Sequence, residues 1–303
     1  MVPPCRRFEF PPKPSRMMRY VIVTPVRDEE QYVATTIESV TRQTIRPVEW
    51  VIVDDGSTDR TGAIIDRYAT QFSWIRVVHR PNRGFRKAGG GVVEAFYDGY
   101  SALRCNDWDF TVKLDGDLSF SSDYFERCFE HFAKRPDLGI GGGEIYHNLG
   151  GQPRLEACPR FHVRGATKIY KRACWEAIGG LMPAPGWDTV DEVKANMLGW
   201  KTRSFEDLRL IHHRHTGAAN GLLRDCIKHG SVCYTCGYHP LFVVASCFFR
   251  VIRKPYLLGS AAMCYGFLKG YIARLPRVND IPLIDYLRHQ QLRRLCGLET
   301  IWK

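Results

Sequence analysis

Phe110-Thr-Val-Lys-Leu-Asp-Gly-Asp-Leu-Ser119 is an apolar-rich run that ends in two carboxylates separated by a single glycine. In an extended backbone, residues i and i+2 point to the same side, so Asp115 and Asp117 would converge where a strand ends. Gly116 lets the chain turn between them and lets a ligand approach the backbone closely. Two carboxylates on one loop suit Mg²⁺ or Mn²⁺, although an Asp-Gly turn with solvated acids would have the same sequence.

Three short β-branched runs precede this stretch and alternate with helical patterns. The runs lie at 19–24, 48–53 and 75–78, and the amphipathic patterns follow them at 32–41, 59–70 and 92–103. Runs that are apolar throughout are typical of strands buried on both faces, and the 3.6-residue spacing is typical of helices packed on a sheet. This alternation predicts a parallel, doubly wound α/β sheet.

The polar residues after these strands fall at one edge of the predicted sheet. Thr24, Asp54, Asp55 and Asp115 each stand at the end of a strand. Ligands of such sheets bind outside the carboxyl ends of the strands, so we expect these side chains to share one ligand site. The loop at 80–91 adds basic residues and glycines before a helix, a pattern that favours phosphate binding, although a solvated basic loop has the same composition.

Composition limits the class of protein and its partners. With 303 residues, 45% hydrophobic and 25% charged, the chain is an ordinary globular protein. Its net charge of +11 favours an anionic partner, such as a nucleotide diphosphate, an acidic membrane surface or nucleic acid.

The 11 cysteines have no regular spacing and no secretory signal precedes Arg16, which predicts reduced thiols in a cytoplasmic protein. Cys233 and Cys236 form either part of a zinc site or a pair of buried cysteines in an apolar helix.

Three motifs stand in order within the strand and helix pattern. They are Thr24-Pro-Val-Arg-Asp-Glu29, Val53-Asp-Asp-Gly-Ser-Thr-Asp59 and Asp115-Gly-Asp117. With these motifs the chain resembles glycosyltransferase family 2 over residues 20–215. The resemblance implies the GT-A fold, a Rossmann-like, mostly parallel sheet flanked by helices, here with a C-terminal helical extension. It also implies an inverting, metal-dependent glycosyltransferase of the hexosyltransferase type that uses Mn²⁺ or Mg²⁺ and a nucleoside-diphosphate sugar as donor.

The resemblance assigns roles to individual residues. Asp54 or Asp55 would hydrogen-bond the base, and the basic loop would contact the diphosphate through Lys87. Asp117 would bind the metal directly, while Asp115 would face the ribose and sugar and lie beside the metal. The residues implied for the nucleotide-sugar site are Thr24, Pro25, Arg27, Glu29, Asp54, Asp55, Arg86, Lys87 and Asp115.

A general base is expected at the start of the helical pattern at 186–200. Family members usually carry Glu-Asp there, and matching the glycine near the end of the helix puts Asp188 on the Asp of that pair, with Trp187 in place of the Glu. A carboxylate there would accept the proton of an attacking hydroxyl, and the helix N-terminus would keep it ionised. Asp188 is the first choice, followed by Asp191 and Glu192, although acids at this position also cap helices.

Three histidines within four residues follow two expected strands, at 202–205 and 208–211. The resemblance implies that one of them ligates the metal, and neutral imidazole suits Mn²⁺ beside carboxylate oxygens. The order of preference along the chain is His213, then His212 and His215.

The composition changes after Gly217. Two strongly apolar stretches, 238–249 and 255–268, are each shorter than the ~20 residues needed to span a bilayer, and basic residues separate them. They are interpreted either as helices lying in a membrane interface or as helices packed on the catalytic domain. The expected organisation is a flexible basic, proline-rich tail at 1–18, a catalytic domain at 19–216 and a helical C-terminal region at 217–303.

The predicted reaction is transfer of a sugar to an acceptor hydroxyl, with a glycan or lipid-linked acceptor of the cell envelope as a hypothesis from the basic, apolar C-terminus. The enzyme is expected in the cytoplasm, either free or peripheral on the inner face of an anionic membrane. One alternative is a nucleotidyltransferase, but residues 24–30 lack the glycine-rich loop of that class. The other is a silent nucleotide- or nucleic-acid-binding protein. It would need a continuous basic stripe with aromatics instead of acids at strand ends, so nucleic acid is not expected as a partner.

Overall fold

The computed structural model describes residues 18–85, 90–149, 152–156, 158–214, 221–252 and 255–302. Some sequence predictions lie outside these residues. They concern the tail before Met18, the diphosphate candidates Arg86 and Lys87, the metal candidate His215, and Arg253 and Lys254 between the apolar stretches.

Among the described residues, nine strands form one sheet. The strands are β1 (Tyr20–Val26), β2 (Glu49–Asp54), β3 (Ile75–His79), β4 (Phe110–Leu114), β5 (Leu118–Phe120), β6 (Leu138–Leu149), β7 (Gln152–Leu155), β8 (Thr167–Lys171) and β9 (Lys201–His212). Their order across the sheet is β3-β2-β1-β4-β8-β6-β9-β5, and β7 pairs with β6.

The first four strands confirm the predicted parallel pattern. β1 runs parallel to β2 and β4, and β2 runs parallel to β3. The other half of the sheet is mixed, because β8 lies antiparallel to both β4 and β6, and β6 is then parallel to β9. The two strands expected at 202–205 and 208–211 are one continuous strand, β9, whose register against β6 shifts after Gly143.

The described helices lie between and after the strands. They are α1 (Val33–Thr41), α2 (Thr61–Gln71), α3 (Gly90–Ser101), α4 (Tyr124–Lys134), α5 (Arg172–Ile178), α6 (Trp187–Met197), α7 (Leu222–Thr235), α8 (Pro240–Arg250), α9 (Tyr256–Ile272) and α10 (Ile281–Leu295). The first three match the helical patterns predicted from the sequence.

Both faces of β1 and β2 are buried, which explains why their interiors are apolar. In β1, Tyr20 and Ile22 belong to one core cluster, whereas Val21 and Val23 belong to a second cluster. Successive side chains of a strand point to opposite faces, so the two clusters are the two faces of the sheet. With no polar face available along these strands, the functional side chains are confined to their ends.

The C-terminal helices pack on the catalytic domain and on each other. Val190 and Val193 of α6 share a core cluster with Leu283 and Leu287 of α10. The backbones of α7 and α9 touch, since a Cβ added to Gly266 would lie 2.0 Å from the carbonyl oxygen of Ile227 on α7. None of the described helices is long and apolar enough to cross a membrane. Thus α10 packs on α6, and α9, which contains most of the second apolar stretch, packs on α7.

Candidate active site

Asp115 and Asp117 lie at the edge of the sheet where β1, β2 and β4 end. β4 is buried throughout and parallel to β1. A Cβ on Gly116 would lie 2.4 Å from Cγ1 of Val26, so glycine is required for this turn to pack against β1. The turn holds both carboxylates at the ligand-binding edge expected from the sequence.

His212 joins these two aspartates. Its Nε2 lies 3.1 Å from Oδ2 of Asp117, and one ligand atom from each of Asp115, Asp117 and His212 lies within 4.8 Å of the others. His213, the first choice from the sequence, instead contacts Oγ of Ser119 at 2.9 Å. The structure thus reverses the order of preference, because neighbouring residues at a strand end point to opposite sides.

Two buried atoms of this group are open to a further ligand. Within the described part of the chain, neither Oδ1 of Asp117 nor Nδ1 of His212 has a hydrogen-bond partner. Buried polar atoms are normally satisfied, and carboxylate oxygen and imidazole nitrogen are both donors that Mn²⁺ accepts. Burial opposes a charge on His212, but the hydrogen bond to Asp117 and the carboxylates of Asp117 and Asp115 outweigh it and raise the pKa of His212. The residues therefore fit a divalent cation.

Arg214 links this group to the nucleotide candidate Glu29. One of its terminal nitrogens lies 2.6 Å from Oε2 of Glu29, and its Nε lies 3.9 Å from Oδ2 of Asp117. The sequence did not single out Arg214, although it directly follows two of the candidate histidines.

Lys113 is a second residue that the sequence analysis missed. It is only 2% exposed within β4, where its Nζ binds Oδ1 of Asp115 and donates to the carbonyl of Gly165 at 2.6 Å. The same Nζ lies 5.4 Å from the ring centre of Trp187. The sequence signal for Lys113 was a lysine inside an apolar strand. A buried ammonium group needs a carboxylate nearby, so this lysine pointed to a pairing with one of the aspartates.

Asp188 approaches the same group from the first turn of α6. Its Cβ lies 3.3 Å from where a Cβ on Gly165 would stand, and the carbonyl of Gly165 is the one that Lys113 binds. The side chain is half-buried and forms no ion pair with a described residue. The N-cap of α6 is Gly186, and no described side chain caps this helix. Asp188 therefore packs against Gly165, whose carbonyl Lys113 binds, and its carboxylate has no ion-pair partner among the described residues.

Asp191 and Glu192 have different surroundings. Both are at most 3% exposed, and Nζ of Lys168 lies 2.8 Å from a carboxylate oxygen of each. Tyr170 donates a further hydrogen bond to Asp191 at 2.5 Å, and burial raises the pKa of Asp191 to about 6. Lys168 also donates to the backbone carbonyl of Asp188. This geometry favours a positioning role for the cluster, with Asp188 as the carboxylate left open.

The two aspartates at the end of β2 have different partners. Asp54 accepts from the backbone N–H of Ser57 at 2.8 Å and contacts Nδ1 of His79 at 3.1 Å. Asp55 binds Arg80 and Arg83 of the basic loop. Asp55 therefore orders the loop that the sequence associated with phosphate binding.

The candidates from β1 lie at the same edge but point to different partners. Thr24 is 1% exposed and accepts from the indole of Trp50 at 2.9 Å, so its hydroxyl supports the sheet. Pro25 is half-buried in the strand. Arg27 donates to Asn82 and to the carbonyl of Phe85, each at 3.0 Å, which places it against the basic loop.

A second group that could hold a metal consists of His147, Glu156 and His212. It shares His212 with the first group, and Glu156 is also 2.7 Å from Arg164. The sequence pattern did not reveal it, because β6 and the segment after β7 have no recognisable ligand spacing. Cys233 and Cys236 belong to neither group, and burial raises the pKa of both thiols, which favours the interpretation as core cysteines.

Comparisons with known proteins identify a family and a fold. The model of the family "Glycosyl transferase family 2" matches residues 21–156. The glycosyltransferase EpsJ of Bacillus subtilis, described as uncharacterized, is 33% identical over 141 residues, which are 45% of this chain and 38% of that protein. Glycosyltransferase GlyG of Streptococcus pneumoniae is 36% identical over 128 residues, 42% of this chain and 38% of that protein. The chain therefore spans well under half the length of these curated relatives.

Solved structures show the same fold. The mannosyltransferase PcManGT from Pyrobaculum calidifontis, solved with GDP-Man and Mn²⁺, superposes with a TM-score of 0.54 at 16% identity, covering 88% of this chain and 77% of that one. TarS of S. aureus (residues 1–349), solved with UDP, gives a TM-score of 0.52 at 14% identity, covering 84% and 72%. The fold is thus that of GT-A enzymes, and the match over residues 21–156, with the relatives above, assigns that part of the chain to glycosyltransferase family 2.

Proposed function

We propose that the chain is a metal-dependent, inverting glycosyltransferase that moves a sugar from a nucleoside-diphosphate sugar to an acceptor hydroxyl. One observation carries the proposal. Asp115, Asp117 and His212 converge at the carboxyl edge of a family 2 domain, with the available carboxylate of Asp188 beside them. A donor site and a base on one edge are what a single sugar transfer needs.

Asp117 and His212, with Asp115, would hold the divalent cation, since their unpartnered buried atoms are suitable donors. Mn²⁺ or Mg²⁺ bound there would neutralise charge on the departing diphosphate. The nucleotide would lie along the ends of β1 and β2. There Asp54 or Asp55 would bind the base, and Pro25, Arg27 and Glu29 would line the pocket. The Mn²⁺ and GDP-Man in the mannosyltransferase structure support this arrangement.

Asp188 would act as the general base. Its carboxylate would accept the proton of the acceptor hydroxyl while that oxygen forms a bond to the anomeric carbon. The bond from the anomeric carbon to the diphosphate oxygen breaks at the same time, and its electron pair leaves with the diphosphate. Lys113 and Lys168 fix the surroundings of this base through the carbonyls of Gly165 and Asp188.

Inversion follows from a single displacement with one base. A retaining double displacement needs a second carboxylate as nucleophile. The neighbouring candidates Asp191 and Glu192 are both held by Lys168 and are buried away from solvent. Their pairing supports a mechanism in which Asp188 works alone.

A lipid-linked or cell-envelope acceptor, met at the inner face of the cytoplasmic membrane, completes the proposal. Exposed apolar side chains on α8 support it, including Leu241, Val244 and Phe248 at 61, 61 and 77% exposure, together with the net charge of +11.

A flotation assay tests this part of the proposal. The protein should float with anionic liposomes and less with neutral ones, and Phe248→Asp should reduce the fraction that floats with anionic liposomes. Equal behaviour with both lipids, or no binding, would count against this part of the proposal.

The reaction itself is tested with purified protein, Mn²⁺ and a panel of nucleotide-sugars, by measuring release of the nucleoside diphosphate and the rise in melting temperature. The expected result is stabilisation by one nucleoside diphosphate and slow hydrolysis of its sugar conjugate, both lost in Asp117→Ala. A nucleotidyltransferase would instead release pyrophosphate from a nucleoside triphosphate and a sugar phosphate. No response to any nucleotide, with Asp117→Ala behaving like wild type, would overturn the proposal.

A further inference from the structure

A cavity of about 670 Å³ lies between the four C-terminal helices. Its walls include His229 of α7, Phe249 and Arg250 of α8, Met263 of α9 and Arg294 of α10. The volume is in the range of sites that bind small ligands, which lies at roughly 300–1,000 Å³. Because the family match ends at residue 156, this cavity is built by a part of the chain that the match does not cover.

The charges in the cavity are all of one sign. Among the described residues, no carboxylate forms an ion pair with Arg250 or Arg294. The Nε of Arg250 is buried without a hydrogen-bond partner, and the other contact of this guanidinium is to Sγ of Cys226 at 3.3 Å. A half-buried guanidinium without a carboxylate is costly, and an anion is the ligand that would satisfy it.

Most of the remaining lining is apolar, and the apolar surface continues outside the cavity. Phe249 lines the cavity and is also 72% exposed, and it neighbours the exposed Phe248 and Ile252 at 77 and 81%. On α9, exposed apolar residues recur at helical spacing, with Leu257, Tyr265, Leu268 and Ile272 between 57 and 84% exposed. A ligand with an anionic head and an apolar chain would use both parts, the guanidinium groups of the cavity wall and the apolar surface outside.

The helix that lines the cavity also packs just before the proposed base. A Cβ on Gly186, two residues before Asp188, would lie 2.8 Å from Cγ1 of Val232 on α7, one helical turn after His229 of the cavity wall. The same helix packs on the residues just before Asp188, because Sγ of Cys236 lies 3.7 Å from the carbonyl of Pro185. An occupant of the cavity would therefore reach toward the acceptor side of the site.

We propose that this cavity is the acceptor subsite and that it takes the phosphate group through which an acceptor, whose own hydroxyl is the nucleophile, is linked to an apolar chain. The assignment rests on the proposed transfer reaction, in which Asp188 faces the acceptor, and names the class of acceptor. Arg250 and Arg294 bind the phosphate, and the chain runs out past Phe249 along the exposed faces of α8 and α9.

Binding of dodecyl phosphate to the full chain, without donor and below the concentration at which it forms micelles, tests the assignment by calorimetry. Inorganic phosphate and the neutral dodecyl maltoside are the comparison ligands. Dodecyl phosphate is expected to bind, with a loss of about tenfold or more in Arg250→Gln and in Arg294→Gln, as for a lost charge-assisted hydrogen bond. Lys269→Gln removes the same charge from an exposed position on α9 outside the cavity lining and should leave the affinity unchanged.

Three outcomes would overturn the assignment. They are equal affinity for dodecyl maltoside, equal affinity for inorganic phosphate, and unchanged affinity in both arginine variants. The melting temperature in the presence of a nucleoside diphosphate is measured on the same samples. It tests the proposed transfer reaction separately from the acceptor assignment. If nucleotide binding is intact while dodecyl phosphate fails to bind, only the acceptor assignment is wrong.

Discussion

Nε2 of His212 lies 3.1 Å from Oδ2 of Asp117, although 95 positions separate them in the chain. The contact is set by the antiparallel pairing of β5 with β9, which places Leu118 opposite His212. The backbone N–H of His213 then donates to the carbonyl of Asp117 at 2.9 Å, which fixes the turn after β4. His212 therefore faces the carboxylates, and its neighbour His213 faces Ser119.

Replacing either partner of this pair should remove the metal site. We expect Asp117→Asn and His212→Gln each to lower the rate of sugar transfer by about 10²–10³, because charge on the leaving diphosphate loses its stabilisation. In the same variants Mn²⁺ should no longer increase the stabilisation by the nucleoside diphosphate, measured as a shift in melting temperature. His213→Gln is the matched control, and a loss in it as large as in His212→Gln would contradict the assignment.

Asp188→Asn should affect chemistry without affecting donor binding. We expect kcat to fall by about 10²–10⁴, the usual contribution of a positioned general base, with the nucleotide-induced rise in melting temperature unchanged. Steady-state kinetics with a saturating acceptor would measure the change. If Asp188→Asn kept more than a tenth of the wild-type kcat, Asp188 would not be the general base.

Lys168→Met should destabilise the fold. Its Nζ holds Asp191 and Glu192, each within 2.8 Å, and all three side chains are fully buried. Removing the cation leaves two buried carboxylates without their positive partner, and we expect a loss of about 3–5 kcal/mol in the free energy of unfolding. Urea denaturation measures it, with Lys171→Met on the same strand as control, since Lys171 is half-buried and its Nζ donates to the carbonyl of Pro136. A loss below about 1 kcal/mol would show that the cluster is not a structural unit.

His79 should make stability depend on pH. Its ring nitrogens lie 3.0 Å from Asp66 and 3.1 Å from Asp54. Burial opposes the charge, but the hydrogen bonds to Asp66 and Asp54 outweigh it and raise the pKa of His79. A raised pKa in the folded state means that the stabilisation is complete below about pH 6.5 and is lost as the pH rises through the folded value.

The size of this effect is limited by exposure. The side chain of His79 is 48% exposed, so screening by solvent keeps the contribution below about 1 kcal/mol. The free energy of unfolding of wild type minus that of His79→Gln should be larger at pH 5.5 than at pH 8.5. A difference that is constant, or that grows with pH, would mean that the imidazolium is not stabilised by these carboxylates.

Local patterns predicted the parallel half of the sheet well. The runs that became β1 and β2 are mostly apolar because both faces of these strands are covered, while β3 at the end of the sheet carries Arg76 and is partly exposed. Short apolar runs alone do not distinguish a strand from a buried helix, so the β-branched residues and the alternation with helical patterns carried the prediction. The mixed half of the sheet was harder to predict from the sequence, because the glycine-rich β6 lacks a clear apolar pattern and its partners β8 and β9 lie far away in sequence. Its glycines are needed for packing: a Cβ on Gly141 would lie 2.5 Å from the ring of Phe205.

The sequence by itself determined which residue types collect at the ends of the strands, because a strand buried on both faces leaves only its ends for polar groups. It therefore identified Asp115 and Asp117 as candidates, whereas Asp188, at the start of a helix, was assigned from the family resemblance. Only the tertiary structure decided between His212 and His213, since a shift of one residue in the pairing of β5 with β9 would exchange them. It also separated Asp188 from Asp191 and Glu192, because the lysine that holds the latter two comes from β8, a strand distant from α6 in sequence.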